Sequence, residues 1–269
     1  MNSNPKIAIL SANKFSAYSS SVLDLALSNN IKVEYIVIKK ISGFSNLIIE
    51  FKKNKFGLIE KIFKKIILQK LITIGIKTNM VDGFSAFFSK NCSKESTLLK
   101  LSEKYKIPII ETQNFHNDNV LDLLKSCQLD LIVFTGGGII RKSLITIPRL
   151  GIINCHMGIL PFYRGMDCTY WALLEKEYKK VGFTTHLMDE GVDTGDIIKK
   201  YFIDHNDIKS PKSIIKSIEY NMAPAIVESM LLLFSKNVLL ENQKISEGKQ
   251  YFTICSELKK NKYYDVSNL

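Results

Sequence analysis

The stretch Asp130 to Gly138, DLIVFTGGG, constrains the fold more than any other part of this chain. Four apolar residues in a row are too few for a globular helix. A run without polar alternation is covered on both faces, so it reads as a buried strand of a parallel sheet, ended by the glycines. Similar runs recur at Lys6 to Leu10 (KIAIL), Val33 to Ile38 (VEYIVI), Ile107 to Glu111 and Gly151 to Cys155. Between them lie stretches of helical periodicity: VLDLAL after Ser21, a helix around Lys94 to Lys104, one starting after a cap at Asn117 or Asp118, and a short one over Ile139 to Ile145 stopped by Pro148. Alternating strands and helices predict an α/β fold, a Rossmann-like and mostly parallel sheet flanked by helices.

Length and composition narrow the class. A chain of 269 residues, 46% hydrophobic and 23% charged, can bury one principal domain with a small addition. The expected division is a principal α/β domain over 1–205, with a basic helical insertion at about 43–80, and a C-terminal helix with a small hairpin or capping segment over 206–269. The five cysteines form no C-x-x-C pair, so neither a disulfide framework nor a metal site is expected. No apolar run reaches the ~20 residues of a membrane span and MNSNPKIAIL is too short for a secretory leader, which predicts a cytoplasmic protein. The net charge of +11 is scattered as lysine doublets. It suits anionic ligands, but a nucleic-acid footprint would be gathered on one face, so nucleic acid is not the expected partner. Within 43–80, FGLIEKIFKKIILQKLITIGI has the spacing of a basic amphipathic helix, expected to pack on its own domain.

Ligands of open parallel sheets bind beyond the C-terminal strand ends, which here are the Thr135–Gly138 turn and the step Asn154-Cys155-His156. Alternation along a strand puts Asn154 and His156 on one face and Cys155 on the other. An amide donor beside an imidazole suits a reaction in which an oxyanion develops and a proton moves, although a histidine closing a strand can also be purely structural. Farther on, VGFTTHLMDEGVDTGDII reads as strand, tight acidic loop and strand, with Gly191 and Gly195 allowing a close turn. Its carboxylates lack the spacing of a calcium loop, and one of them reaching His156 is the simpler reading.

Asn154-x-His156, Leu160-Pro161-x-Tyr163-Arg164-Gly165 and, 37 residues after the histidine, Asp193 in a D-x-G-x-D-T-G loop resemble the catalytic domain of the folate-dependent formyltransferases. The likeness covers about residues 105 to 205 well and the flanking elements in outline. It implies 10-formyltetrahydrofolate as the formyl donor, an amine as the acceptor and no metal. Asn154 would hold the formyl oxygen, and His156 would stabilise it and help move the amine proton. Asp193 would orient the imidazole and accept that proton, directly or through water. The pterin would lie between Gly136, Gly137, Gly138, Ile139, Ile140 and Arg141 on one side and Asp189, Gly191 and Val192 on the other. Arg164 would meet an acidic ligand or brace a loop. Two departures stand out: Gly158 occupies a position where many relatives have serine, and SANKFSAYSSS, after the first strand, lacks a glycine-rich phosphate loop.

About 64 residues follow His205, too few for the barrel of methionyl-tRNA formyltransferases, and no regulatory domain precedes the first strand. The layout is closest to the bacterial N-formyltransferases of nucleotide-linked amino sugars. The acceptor implied is a nucleoside-diphosphate deoxyamino sugar destined for surface polysaccharide such as O-antigen. Formyltetrahydrofolate hydrolysis, methionyl-tRNA formylation and a noncatalytic basic nucleotide- or RNA-binding module are the alternatives. A homodimer is compatible with the sequence.

Overall fold

A computed structural model describes residues 5–40, 82–93, 95–203, 210–236, 238–260 and 264. The basic helix expected over 43–80 and the boundary at 205/206 lie outside these residues. Within them the order is β1 (Lys6–Ser11), α1 (Ala17–Ser28), β2 (Lys32–Lys39), α2 (Gly83–Asn91), α3 (Leu98–Tyr105), β3 (Ile109–Thr112), α4 (Asp118–Ser126), β4 (Leu131–Thr135), α5 (Lys142–Ile145), β5 (Ile152–His156), β6 (Tyr163–Gly165), α6 (Cys168–Leu174), β7 (Gly182–Leu187), β8 (Ile197–Phe202), α7 (Pro211–Ser235) and β9 (Lys249–Tyr251).

Seven strands form one sheet in the order β3-β2-β1-β4-β5-β7-β8. The pairs from β3 to β5 are parallel, whereas β7 is antiparallel to both β5 and β8. The chain is therefore α/β with a mostly parallel sheet. Ile7, Ile9, Leu131 and Val133 enter the larger core with α1 and α7, and Ala8, Leu10 and Ile132 enter the smaller one with α4 and α5. Burial on both faces is why these strands read as continuous apolar runs.

Local chemistry explains where the elements begin. Ser16, Asp82 and Thr97 cap α1, α2 and α3 by accepting a backbone N–H in the first turn. Asn117 holds the capping position of α4 without a side-chain bond. Pro108 has no N–H to give to the ladder, and β3 starts one residue later. Only Lys142–Ile145 of the helix expected over Ile139 to Ile145 is helical. Ser210 and Ser213 form a reciprocal cap with Pro211 in the first turn of α7, which runs unbroken through Pro224. This helix packs on α1 and α2 and shares their core. In the segment EGKQYFTICSEL, β9 pairs in parallel with β6 as a separate two-stranded sheet. Among the described residues no helix is long and apolar enough to cross a membrane.

Candidate active site

β5 lies inside the sheet between β4 and β7. Ile153 and Cys155 project into the larger core, leaving Asn154 and His156 on the other face. The antiparallel register sets Asn154 opposite His186 and His156 opposite Thr184. Asn154 Nδ2 is 3.2 Å from His186 Nε2, while His186 Nδ1 is 2.8 Å from its neighbour's carbonyl, Leu187 O. The carbonyl can only accept, so Nδ1 carries a proton, while Nε2 faces both the Asn154 amide and Asp193 Oδ1. An amide nitrogen bears two hydrogens, and Asn154 keeps one for a ligand oxygen.

The 188–196 loop leaves β7 with Met188 N–H bonded to Ile152 O at 2.7 Å, then doubles back over the sheet. Asp193, at φ +54°, turns its carboxylate inward. Its Oδ2 is 3.3 Å from His156 Nδ1 and accepts the Gly165 N–H at 3.0 Å, and its Oδ1 is 3.5 Å from His186 Nε2. Burial alone would raise this carboxyl. The two imidazoles and the Gly165 N–H outweigh it and bring the pKa down to about 2.

His156 is buried, and burial is the main influence pressing its pKa below the ordinary imidazole value, against the pull of Asp193. At neutral pH the pair is a neutral ring beside a carboxylate. The ring faces two acceptors, since its Nε2 is 2.8 Å from Tyr163 O. A neutral imidazole donates only one N–H, so one of them goes unserved until the ring gains a proton. The arrangement is set to receive one. Gly158 makes room for it: a Cβ there would lie 2.7 Å from Tyr163 O and 2.8 Å from His156 Nε2.

A cavity of about 530 Å³ opens beside Asn154 and His156 and extends past Gly136 to Ser16, Tyr18 and Phe84. Gly136, Gly137 and Gly138 all have positive φ, a turn that bulkier residues rarely adopt, and Lys39 Nζ holds Gly137 O at 2.5 Å. Ile139 and Val192 are exposed, Arg141 is exposed just before α5, and Ile140 is buried in the smaller core. Asp189 Oδ1 accepts from Gly191 N and Thr194 Oγ1 and so shapes its own loop. The two segments approach each other through Lys142 and Glu190, 3.3 Å apart. Of the nine residues expected around a pterin, only Gly136 is among those lining this cavity.

The structure thus brings Asn154, His156 and Asp193 together. It also adds His186, which sequence reasoning missed: in β7, GFTTHL, it follows two threonines, and no local pattern sets it apart. Arg164 is buried and donates to Ile245 O and Gly248 O, both at 3.4 Å, which is the loop-bracing role. Tyr220 packs on Phe87, and Tyr251 stacks on Tyr163.

The family model described as formyl transferase matches residues 67–226. A methionyl-tRNA formyltransferase of Geotalea uraniireducens is 32% identical over 144 residues, 53% of this chain and 46% of that protein. The chain spans less than half the length of the curated relatives it matches. A sugar N-formyltransferase from Shewanella sp. aligns over 92% of this chain and 76% of its own with TM-score 0.54 at 17% identity. An N-formyltransferase from Helicobacter canadensis, solved with folinic acid and dTDP-3-aminofucose, aligns over 92% of this chain and 70% of its own with TM-score 0.51 at 16% identity. At such identities these two likenesses speak for the fold.

Proposed function

This chain belongs to the formyl transferase family, and from that premise we propose that it moves a formyl group from 10-formyltetrahydrofolate to the amine of a nucleotide-linked deoxyamino sugar. The observation that carries the reading is the meeting of the Asn154 amide and the His156 imidazole, both on β5, with the Asp193 carboxylate from a distant loop. The free N–H of Asn154 holds the formyl oxygen, whose charge grows as the amine nitrogen bonds to the formyl carbon. One such donor is typically worth ~10² to 10³ in rate. His156, neutral and oriented by Asp193, takes the amine proton. The bond to the folate nitrogen then breaks and that nitrogen receives the proton. Gly136 to Arg141 and the Asp189 to Val192 loop hold the pterin chiefly through backbone groups.

The amino-sugar acceptor is supported by the descriptions of the aligned sugar N-formyltransferases and by the positive charge of the chain. Methionyl-tRNA is the second reading, favoured by the names of the curated relatives. Incubating the protein with the formyl donor and either a panel of amino-sugar nucleotides or methionyl-tRNA tests both. Mass spectrometry is expected to find one sugar nucleotide gaining a formyl group, and Asn154→Ala should lower kcat by ~10² to 10³. Formylation confined to the tRNA would replace the first reading with the second, and unchanged kcat in Asn154→Ala would remove the assigned chemistry.

A further inference from the structure

We infer that Gln243 is a positioning residue for Asp193, holding from the C-terminal segment the backbone that aims the carboxylate at His156. The inference rests on the role given to Asp193 above. Gln243 is 7% exposed, and its Nε2 donates to Asp193 O at 3.1 Å and to Gly195 O at 2.5 Å. One amide nitrogen therefore ties the carbonyls on either side of Thr194. Asp193 stands at φ +54°, a conformation that non-glycine residues adopt only when their surroundings impose it. Gly165 N–H and His156 hold the side chain from one side, and Gln243 holds the main chain from the other.

The far end of the amide strengthens the case. Gln243 Oε1 is buried without a hydrogen-bond partner. Turning the amide over would set that oxygen against two carbonyls, so its orientation is dictated by the loop and not by its own hydrogen-bonding needs. A residue kept in the interior with half its polar capacity unmet is there for the half that is met. The neighbours register the segment against the same hairpin: Asn242 Nδ2 donates to Asp196 Oδ1 at 3.0 Å, and Glu241 and Ile197 exchange N–H bonds, each 2.9 Å. Only Gln243 reaches Asp193 itself.

The test uses Gln243→Met, which keeps length and apolar packing but removes both donors, and Gln243→Asn, one methylene shorter, which keeps an amide that cannot span both carbonyls. Asn242→Ala loosens the same segment without touching Asp193. The chain has four histidines, so NMR of isotope-labelled imidazoles can follow His156 alone. The groups facing that ring are Asp193 and His186, with the Cys168 thiol of α6 beside the carboxylate. A receding Asp193 no longer favours the protonated ring, so the His156 titration is expected to move to lower pH in Gln243→Met and less in Gln243→Asn. kcat should fall by about 10²-fold in Gln243→Met, with KM for the formyl donor little changed, because misplacement by about 1 Å has that effect on chemistry. A folded Gln243→Met with unchanged titration and kcat overturns the inference, as does an equal shift in Asn242→Ala. Absence of formyl transfer by the unmodified protein would overturn the proposed function instead, and the His156 titration would still report on Gln243.

Discussion

His156 receives opposing instructions from its surroundings. Burial favours the neutral ring and Asp193 favours the charged one, with burial the larger. In the proposed chemistry the neutral ring takes a proton from the acceptor amine, so catalysis is expected to be lost as pH falls through the pKa of His156 in the folded protein. Because that value is pressed below the ordinary 6.5, kcat is expected to hold as pH drops past 6.5 and to decline only lower down. Asp193→Asn removes the upward pull and should carry the acid limb lower still, on a reduced plateau. A pH profile of kcat with its acid limb above 6.5 would exclude His156 as the acceptor. Asn154 and His156 were legible as a pair because strand alternation is a local rule; the acidic loop stood out by its glycines, but only the family resemblance singled out Asp193 among its carboxylates. His186 was not legible, since the register that sets it beside Asn154 belongs to two strands at once. Gln243 carries no mark in the chain at all. It matters only because of two carbonyls some fifty residues away in sequence.

At the scale of elements, the turn that carries Tyr163 is held from outside the main sheet. β6 pairs with β9, the rings of Tyr163 and Tyr251 stack with centroids 5.1 Å apart, and both hydroxyls donate to Glu175. Trp171 packs on Tyr251 and donates its Nε1–H to Phe252 O at 2.8 Å. The carbonyl that faces His156 Nε2 belongs to this same Tyr163. Tyr251→Ala is expected to cost about 0.5–1.5 kcal/mol beyond its lost contact area. Hydrogen exchange should accelerate at residues 163 to 165 while the amides of β1 and β4 stay protected. Uniform acceleration across the sheet would show that β9 supports the whole fold and not this turn. Such short strands leave no sequence trace, because three residues are too few for alternation to register. The buried strands and α7 were legible for the opposite reason: unbroken apolar runs and a long helical pattern are strong local signals.

Across the molecule, the cavity beside Asn154 has no lysine or arginine among its described lining residues, yet the chain carries a net charge of +11. Among the described residues, attraction of an anionic acceptor is therefore a long-range property of the surface. Such attraction is screened once the Debye length falls below about 10 Å, near 0.1 M salt. kcat/KM for an anionic acceptor is expected to fall with ionic strength while kcat stays level, and a kcat that fell in parallel would place the cation contacts at the chemistry itself. Composition gives the amount of charge but does not say which face a lysine occupies. The late position of Gln243 and β9 also bears on biosynthesis. Ribosomes add about 5–20 residues per second, so a nascent chain carries His156 and Asp193 for seconds before Gln243 and β9, which bond to the Asp193 backbone and to the Tyr163 turn, have been translated.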